Sequence, residues 1–118
     1  MAASESQEQV ALMDWLRLQY PDVALHTIYI TNERKQSPRM GALFKRKGLL
    51  PGASDLFIAW PNANFHGLFI ELKTKAGIVS PTQKEFLQRM NAKGYLARVA
   101  RGADEGIAII TQYLRNAS

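Results

Sequence analysis

Two short apolar runs, DLFIAW at 55–60 and GLFIELK at 67–73, flank the turn Pro61-Asn62-Ala63-Asn64. Each is the length of a strand and rich in strand-forming residues. The gap between them is too short for a crossover, so they must pair as an antiparallel hairpin. The start of the first strand then lies beside the end of the second. That register brings Asp55 next to Glu71 and Lys73. Alternation along the second strand puts Glu71 and Lys73 on one face and Leu72 on the other.

The rest of the chain supplies layers for this hairpin. Residues 6–20 read as a helix, with Glu8, Leu12, Trp15 and Leu16 on one face, and Pro21-Asp22 stops it. Residues 23–31 (VALHTIYIT) read as a strand, with His26, Ile28 and Ile30 sharing a face. His26 is expected to be a core or edge histidine, not a ligand. A polar loop over 32–38 leads to a helix over 39–47, with Met40, Leu43 and Phe44 inward. Leu49-Leu50-Pro51-Gly52 is a turn. Beyond the hairpin, Ser80-Pro81-Thr82-Gln83 is a helix start: Ser80 at the N-cap, Pro81 first, and Gln83 third in a capping box. That helix runs to about residue 93 and ends at Gly94, with Gln83, Phe86, Leu87 and Met90 on one face. A strand over 95–100 and a helix over 102–114, with Ile107, Ile110 and Leu114 inward, complete the chain. This order predicts an α/β sandwich around a small mixed sheet. A right-handed crossover through the helix after Pro81 makes the strands on either side of it parallel.

One domain over residues 1–118 is expected. The 47% apolar and 21% charged content is that of a globular chain. No apolar run is long enough to span a bilayer, and the polar start MAASESQEQ is unlike a signal peptide, so a cytoplasmic location is expected. With no cysteine, there is no disulfide and no thiolate metal site. Any metal must sit on oxygen or histidine, which favours magnesium or manganese. Lys and Arg number 15 against 10 Asp and Glu, a net charge of +5 that suits a polyanionic partner. The densest positive region is Arg34, Lys35, Arg39, Lys45, Arg46 and Lys47, a candidate track for DNA phosphates that Lys75 extends.

Two carboxylates and a lysine at adjacent strand ends suit metal-assisted phosphodiester hydrolysis. The reaction needs a deprotonated water, a stabilised phosphorane and a neutralised leaving oxygen, and a divalent cation serves all three. Asp55 and Glu71 supply hard oxygen ligands, and the Leu72 carbonyl between the working side chains is a third candidate. Lys73 either activates the water or stabilises the phosphorane charge. The competing reading is a surface ion pair across a hairpin. By its position in the first turn, Glu8 is a favourable helix charge.

The segments Pro51-Gly52-Ala53-Ser54-Asp55-Leu56, Phe69-Ile70-Glu71-Leu72-Lys73, Ser80-Pro81-Thr82-Gln83 and Gly94-Tyr95 together resemble a VRR-NUC domain. That family is a branch of the PD-(D/E)XK nuclease superfamily, and the resemblance covers nearly the whole chain. It implies a restriction-endonuclease-like fold with Asp55, Glu71 and Lys73 at the catalytic centre. It also implies that Glu8 is a further metal ligand or holds the metal's water, and that Gln83 is a helix glutamine supporting the site. One side chain is not expected to serve both the capping box and the site fully. Ser54 stands where the superfamily motif has proline, which removes no ligand. Stand-alone members resemble dimeric junction-resolving nucleases. The resemblance therefore implies a homodimeric, Holliday-junction-type endonuclease acting on branched or duplex DNA. The exposed part of the 39–47 helix and the last helix are candidate dimer surfaces. The alternatives are a non-catalytic basic DNA-binding protein on a degenerate nuclease fold, and a flap or sequence-specific nuclease.

Overall fold

The first helix, α1 (Glu5–Gln19), starts one residue before its periodicity predicts, because Ser4 caps it. In this computed structural model, which describes residues 3–31 and 37–116, the Ser4 hydroxyl accepts the Gln7 N–H at 3.2 Å. The Gln7 side chain accepts the Ser4 N–H in return at 2.8 Å. Leu12 and Leu16 are fully buried on the inner face of α1. Arg34 and Lys35 of the expected basic track lie outside the described residues.

The strand expected over 23–31 is shorter, and its first part is helical. Pro21 both ends α1 and opens a single-turn helix, α2 (Pro21–Ala24). Its fixed φ suits a first helical position, and its missing N–H costs nothing there. The turn is closed by Leu25 and His26 N–H groups donating to the Pro21 and Val23 carbonyls. Only β1 (Thr27–Tyr29) is extended. His26 is an exposed edge residue, with Nδ1 2.7 Å from the Asp22 carbonyl and its ring edge-on to Trp60.

α3 (Pro38–Arg46) forms where expected, but it buries no residue. Met40 and Leu43 are 44% and 45% exposed, contrary to the inward placement predicted for them. The amphipathic pattern is real, yet the helix stands off the sheet and only Gly41 and Phe44 are half-covered. Periodicity reports an apolar face without specifying what covers it.

The hairpin is β2 (Leu56–Ile58) and β3 (Leu68–Lys73), antiparallel with Leu56 opposite Ile70. α4 (Pro81–Ala92) crosses to β4 (Leu96–Arg101), which is parallel to β3. α5 (Ala103–Arg115) closes the chain. The sheet order is β1-β2-β3-β4. Leu56, Ile58, Leu68, Ile70 and Leu72 pack with Leu12, Leu16, Ile110 and Tyr113 in the main core. Phe57, Phe69, Phe86 and Tyr95 form a second, aromatic cluster, with the Phe57 and Phe69 rings stacked at 4.3 Å. Burying side chains of this size contributes roughly 1.5–3 kcal/mol each. The mixed α/β sandwich is therefore as expected, with β3 held rigid between β2 and β4.

Candidate active site

Asp55 immediately precedes β2, and Glu71 and Lys73 end β3. The antiparallel register extended by one residue sets Asp55 opposite Glu71. Both carboxyls are buried, at 8% and 2% exposure. Asp55 Oδ2 accepts the Leu72 N–H at 2.7 Å, so the side chain of one strand replaces a missing ladder bond of the other. Lys73 Nζ lies 3.6 Å from Glu71 Oε2. Gln83 Nε2 donates to the same oxygen at 3.2 Å. Glu71 Oε1 is buried and receives no hydrogen bond from the described residues.

Gln83 does more than the sequence suggests. Its Oε1 accepts the Ser80 N–H at 2.9 Å, and its backbone N–H donates to the Ser80 hydroxyl at 3.2 Å. The capping box is thus complete, and the Nε2 end of the same amide remains available to Glu71. An amide has an acceptor end and a donor end, and each serves one partner. The expected conflict between capping and site support does not arise.

Two buried carboxyls so close cannot both ionise cheaply. Burial raises the Glu71 carboxyl first, the neighbouring Asp55 charge raises it further, and Lys73 offsets part, leaving it at about 8. Burial also raises Asp55, against the Leu72 N–H and the Lys73 charge, which lower it. The pair therefore resists double ionisation at neutral pH. Perturbation of this kind, in a cleft, marks a candidate functional site.

The pair opens into a cleft of about 350 Å³ that Ala53, Lys73 and Gln83 also line. From α1 the cleft is lined by Glu5 and Ser6, not by Glu8. Glu8 Oε2 instead accepts the Ala103 N–H at 2.8 Å. Gly102, the N-cap residue of α5, has no side chain to do this, and Glu8 caps the helix in its place. Glu8, expected as a metal ligand, is thus placed at the α5 N-terminus and does not line the cleft. Glu5 sits one helical turn earlier on the same side, a signal available as i, i+3 spacing once Ser4 is recognised as the cap. A groove of about 370 Å³ between α1 and β1, lined by Val10, Met13, Arg17 and Tyr29 among others, has no carboxylate among the described residues that line it. Chemistry, not size, selects the smaller cleft.

Among the described residues, no three His, Cys, Asp or Glu side chains converge as a metal-binding group. Magnesium does not require three: it is commonly held by one or two carboxylates, with waters and substrate phosphate completing the shell. Asp55, Glu71 and the orphaned Glu71 Oε1 fit that demand. A residue's N–H and C=O leave a strand on the same side. The Leu72 carbonyl therefore faces the Asp55 edge with its N–H.

Arg101 escapes a motif-based reading. It pairs in register with Lys73, and its Nη1 donates to the Thr74, Lys75 and Gly77 carbonyls at 2.9, 3.3 and 2.5 Å. The Gly102 N–H donates to the Lys73 carbonyl at 3.0 Å. The β4–α5 junction thus grips both the end of β3 and the loop after it. Arg39, Lys45, Arg46, Lys47 and Lys75 are all exposed.

The VRR-NUC domain family profile matches residues 3–104 of this chain. A solved structure described as a VRR_NUC domain protein superposes with a TM-score of 0.87 at 30% identity, covering 100% of this chain and 93% of that one. No curated protein matches this chain.

Proposed function

The chain belongs to the VRR-NUC domain family, and from that premise of a DNA-processing nuclease we propose a divalent-metal-dependent, structure-selective endodeoxyribonuclease. The observation that carries this reading is the buried Asp55–Glu71 pair beside Lys73, opening into a cleft. A buried carboxyl pair of this kind destabilises the fold, and a role in cation binding explains its presence.

Asp55 and Glu71 would hold magnesium or manganese, with the Leu72 carbonyl beside them. When bound, the cation supplies Lewis-acid stabilisation of the phosphoryl oxygens and lowers the pKa of water. Gln83 holds Glu71 Oε2 in place, which leaves Oε1 for the cation. The Leu72 N–H fixes the orientation of the Asp55 carboxyl. Lys73 has its ammonium at the cleft, within reach of an attacking water or a phosphorane oxygen. The exposed cations of α3, with Lys75, give the substrate backbone a salt-sensitive track.

The substrate in this reading is branched DNA cut by a homodimer, since two symmetric sites match the two symmetric strands of a four-way junction. The exposed Met40 and Leu43 on α3 support that helix as a pairing surface. The test is cleavage of a labelled four-way junction in magnesium or manganese by the wild type, Asp55→Ala, Glu71→Gln and Lys73→Ala, with light scattering alongside. Loss of cutting in all three variants and a dimer mass are expected. Equal cutting by the variants refutes the residue roles, and a strict monomer refutes the symmetric resolvase.

A further inference from the structure

Next to the cleft lies a second groove, of about 330 Å³. Leu49, Pro51 and Gly52 line it on one side, and Ser80, Thr82 and Gln83 on the other. Gln83 also lines the catalytic cleft, so the two spaces adjoin across one side chain. The catalytic roles above make no use of the second groove.

Its walls are fixed. Gly52 has φ of +85°, and a Cβ there would lie 2.6 Å from the Thr82 carbonyl oxygen. The turn is therefore seated directly on the first turn of α4, at a distance only glycine permits. The opposite wall is tied by the Ser80–Gln83 capping box. One wall is apolar, through Leu49 and Pro51, and the other carries hydroxyls. Among the described residues its lining carries no carboxylate, unlike the adjoining cleft, so an anionic backbone meets less repulsion there than in the cleft. The Leu49 N–H donates to the Phe44 carbonyl at 2.9 Å, which joins the apolar wall to the basic end of α3.

A DNA strand with one phosphate in the cleft must continue past one of its walls. We propose that this groove is the subsite for the nucleotide adjoining the scissile phosphate. Leu49 and Pro51 pack against its sugar and base, the Thr82 hydroxyl faces its backbone, and Gln83 sets its spacing from Glu71. The subsite rests on the nuclease reading and adds to it a second point of attachment for the substrate strand.

The test compares the wild type with Thr82→Trp, which fills the groove, and Leu49→Ala, which removes part of its apolar wall. Gln112→Trp, on the remote groove beside α5, is the steric control. Cleavage kinetics are measured on DNA carrying a single abasic site at each position flanking the cut, and binding is measured by anisotropy in calcium. For the wild type, an abasic site at one flanking position raises KM about tenfold, the scale of one base-packing interaction. Leu49→Ala loses most of that sensitivity. Thr82→Trp raises KM on intact DNA about tenfold with kcat little changed, weakens binding in calcium to match, and keeps the wild-type circular dichroism. Gln112→Trp changes neither constant. If the wild type cuts DNA while both groove variants keep its KM and its abasic response, the subsite is refuted and the nuclease reading stands. If the wild type cuts no DNA, the nuclease reading fails, and equal binding by the wild type and Thr82→Trp then refutes the subsite as well.

Discussion

Glu71→Gln should stabilise the metal-free protein at neutral and alkaline pH while abolishing cleavage. The carboxyl is 2% exposed, and one of its oxygens has no donor among the described residues. It holds its proton to about 8 in the fold, against 4.5 as its ordinary value. Between those values the folded state binds more protons than the unfolded chain, so stability falls as pH rises through this window. The full effect at pH above 8 is roughly 5 kcal/mol, at about 1.4 kcal/mol for each pH unit. Lys73 and water entry offset part of it, and a net gain of at least about 2 kcal/mol at pH 8 is expected for the neutral amide. That corresponds to a rise in Tm of roughly 8 °C. Urea and thermal melts in EDTA from pH 5 to 9 measure it, with the difference between variant and wild type widening as pH rises. Magnesium should reverse the order: at a hundred times Kd it adds about 2.7 kcal/mol to the wild type and little to the variant. A difference that is flat with pH, or a less stable variant at pH 8, refutes the buried-pair argument.

Gln83→Glu separates the two ends of the amide. The capping box survives, because glutamate serves at that position, but a third carboxylate faces Glu71. Activity should drop at least about tenfold while the Tm changes little, as read by junction cleavage and a thermal melt. Glu8→Ala should cost about 1 kcal/mol by uncapping α5, measured by urea melts, without changing the magnesium needed for half-maximal cleavage. Glu5→Gln, in the cleft, should raise that magnesium requirement. Arg101→Lys keeps the charge but cannot reach three carbonyls, so limited proteolysis should cut the 74–77 loop faster than in the wild type. Replacing Lys45, Arg46 and Lys47 with Gln should flatten the dependence of log KM on log salt by about one for each phosphate no longer neutralised.

The parts of this molecule legible in its sequence are those that local rules decide. The Asp55–Glu71–Lys73 constellation follows from a short turn and strand alternation, and the hairpin register delivers it as predicted. The Ser80–Gln83 cap is likewise a matter of four consecutive residues. What the sequence could not place are arms whose partner is distant in the chain. Glu8 and Glu5 are both acids in the first turns of α1, and nothing local says which one meets β3. The choice is made by Gly102, 94 residues from Glu8, whose missing side chain leaves the α5 N-terminus in need of a cap. Glu8 answers that need, and Glu5 is the acid that lines the cleft. The same logic explains α3: its pattern is amphipathic, but only the tertiary fold shows that no element covers Met40 and Leu43 among the described residues. Arg101 presents the opposite case. It carries no motif, yet its register beside Lys73 lets one guanidinium hold the loop that links β3 to the helix bearing Gln83. Strand ends carry the Asp55–Glu71–Lys73 cluster here, and helix ends and junctions decide how rigidly it is held.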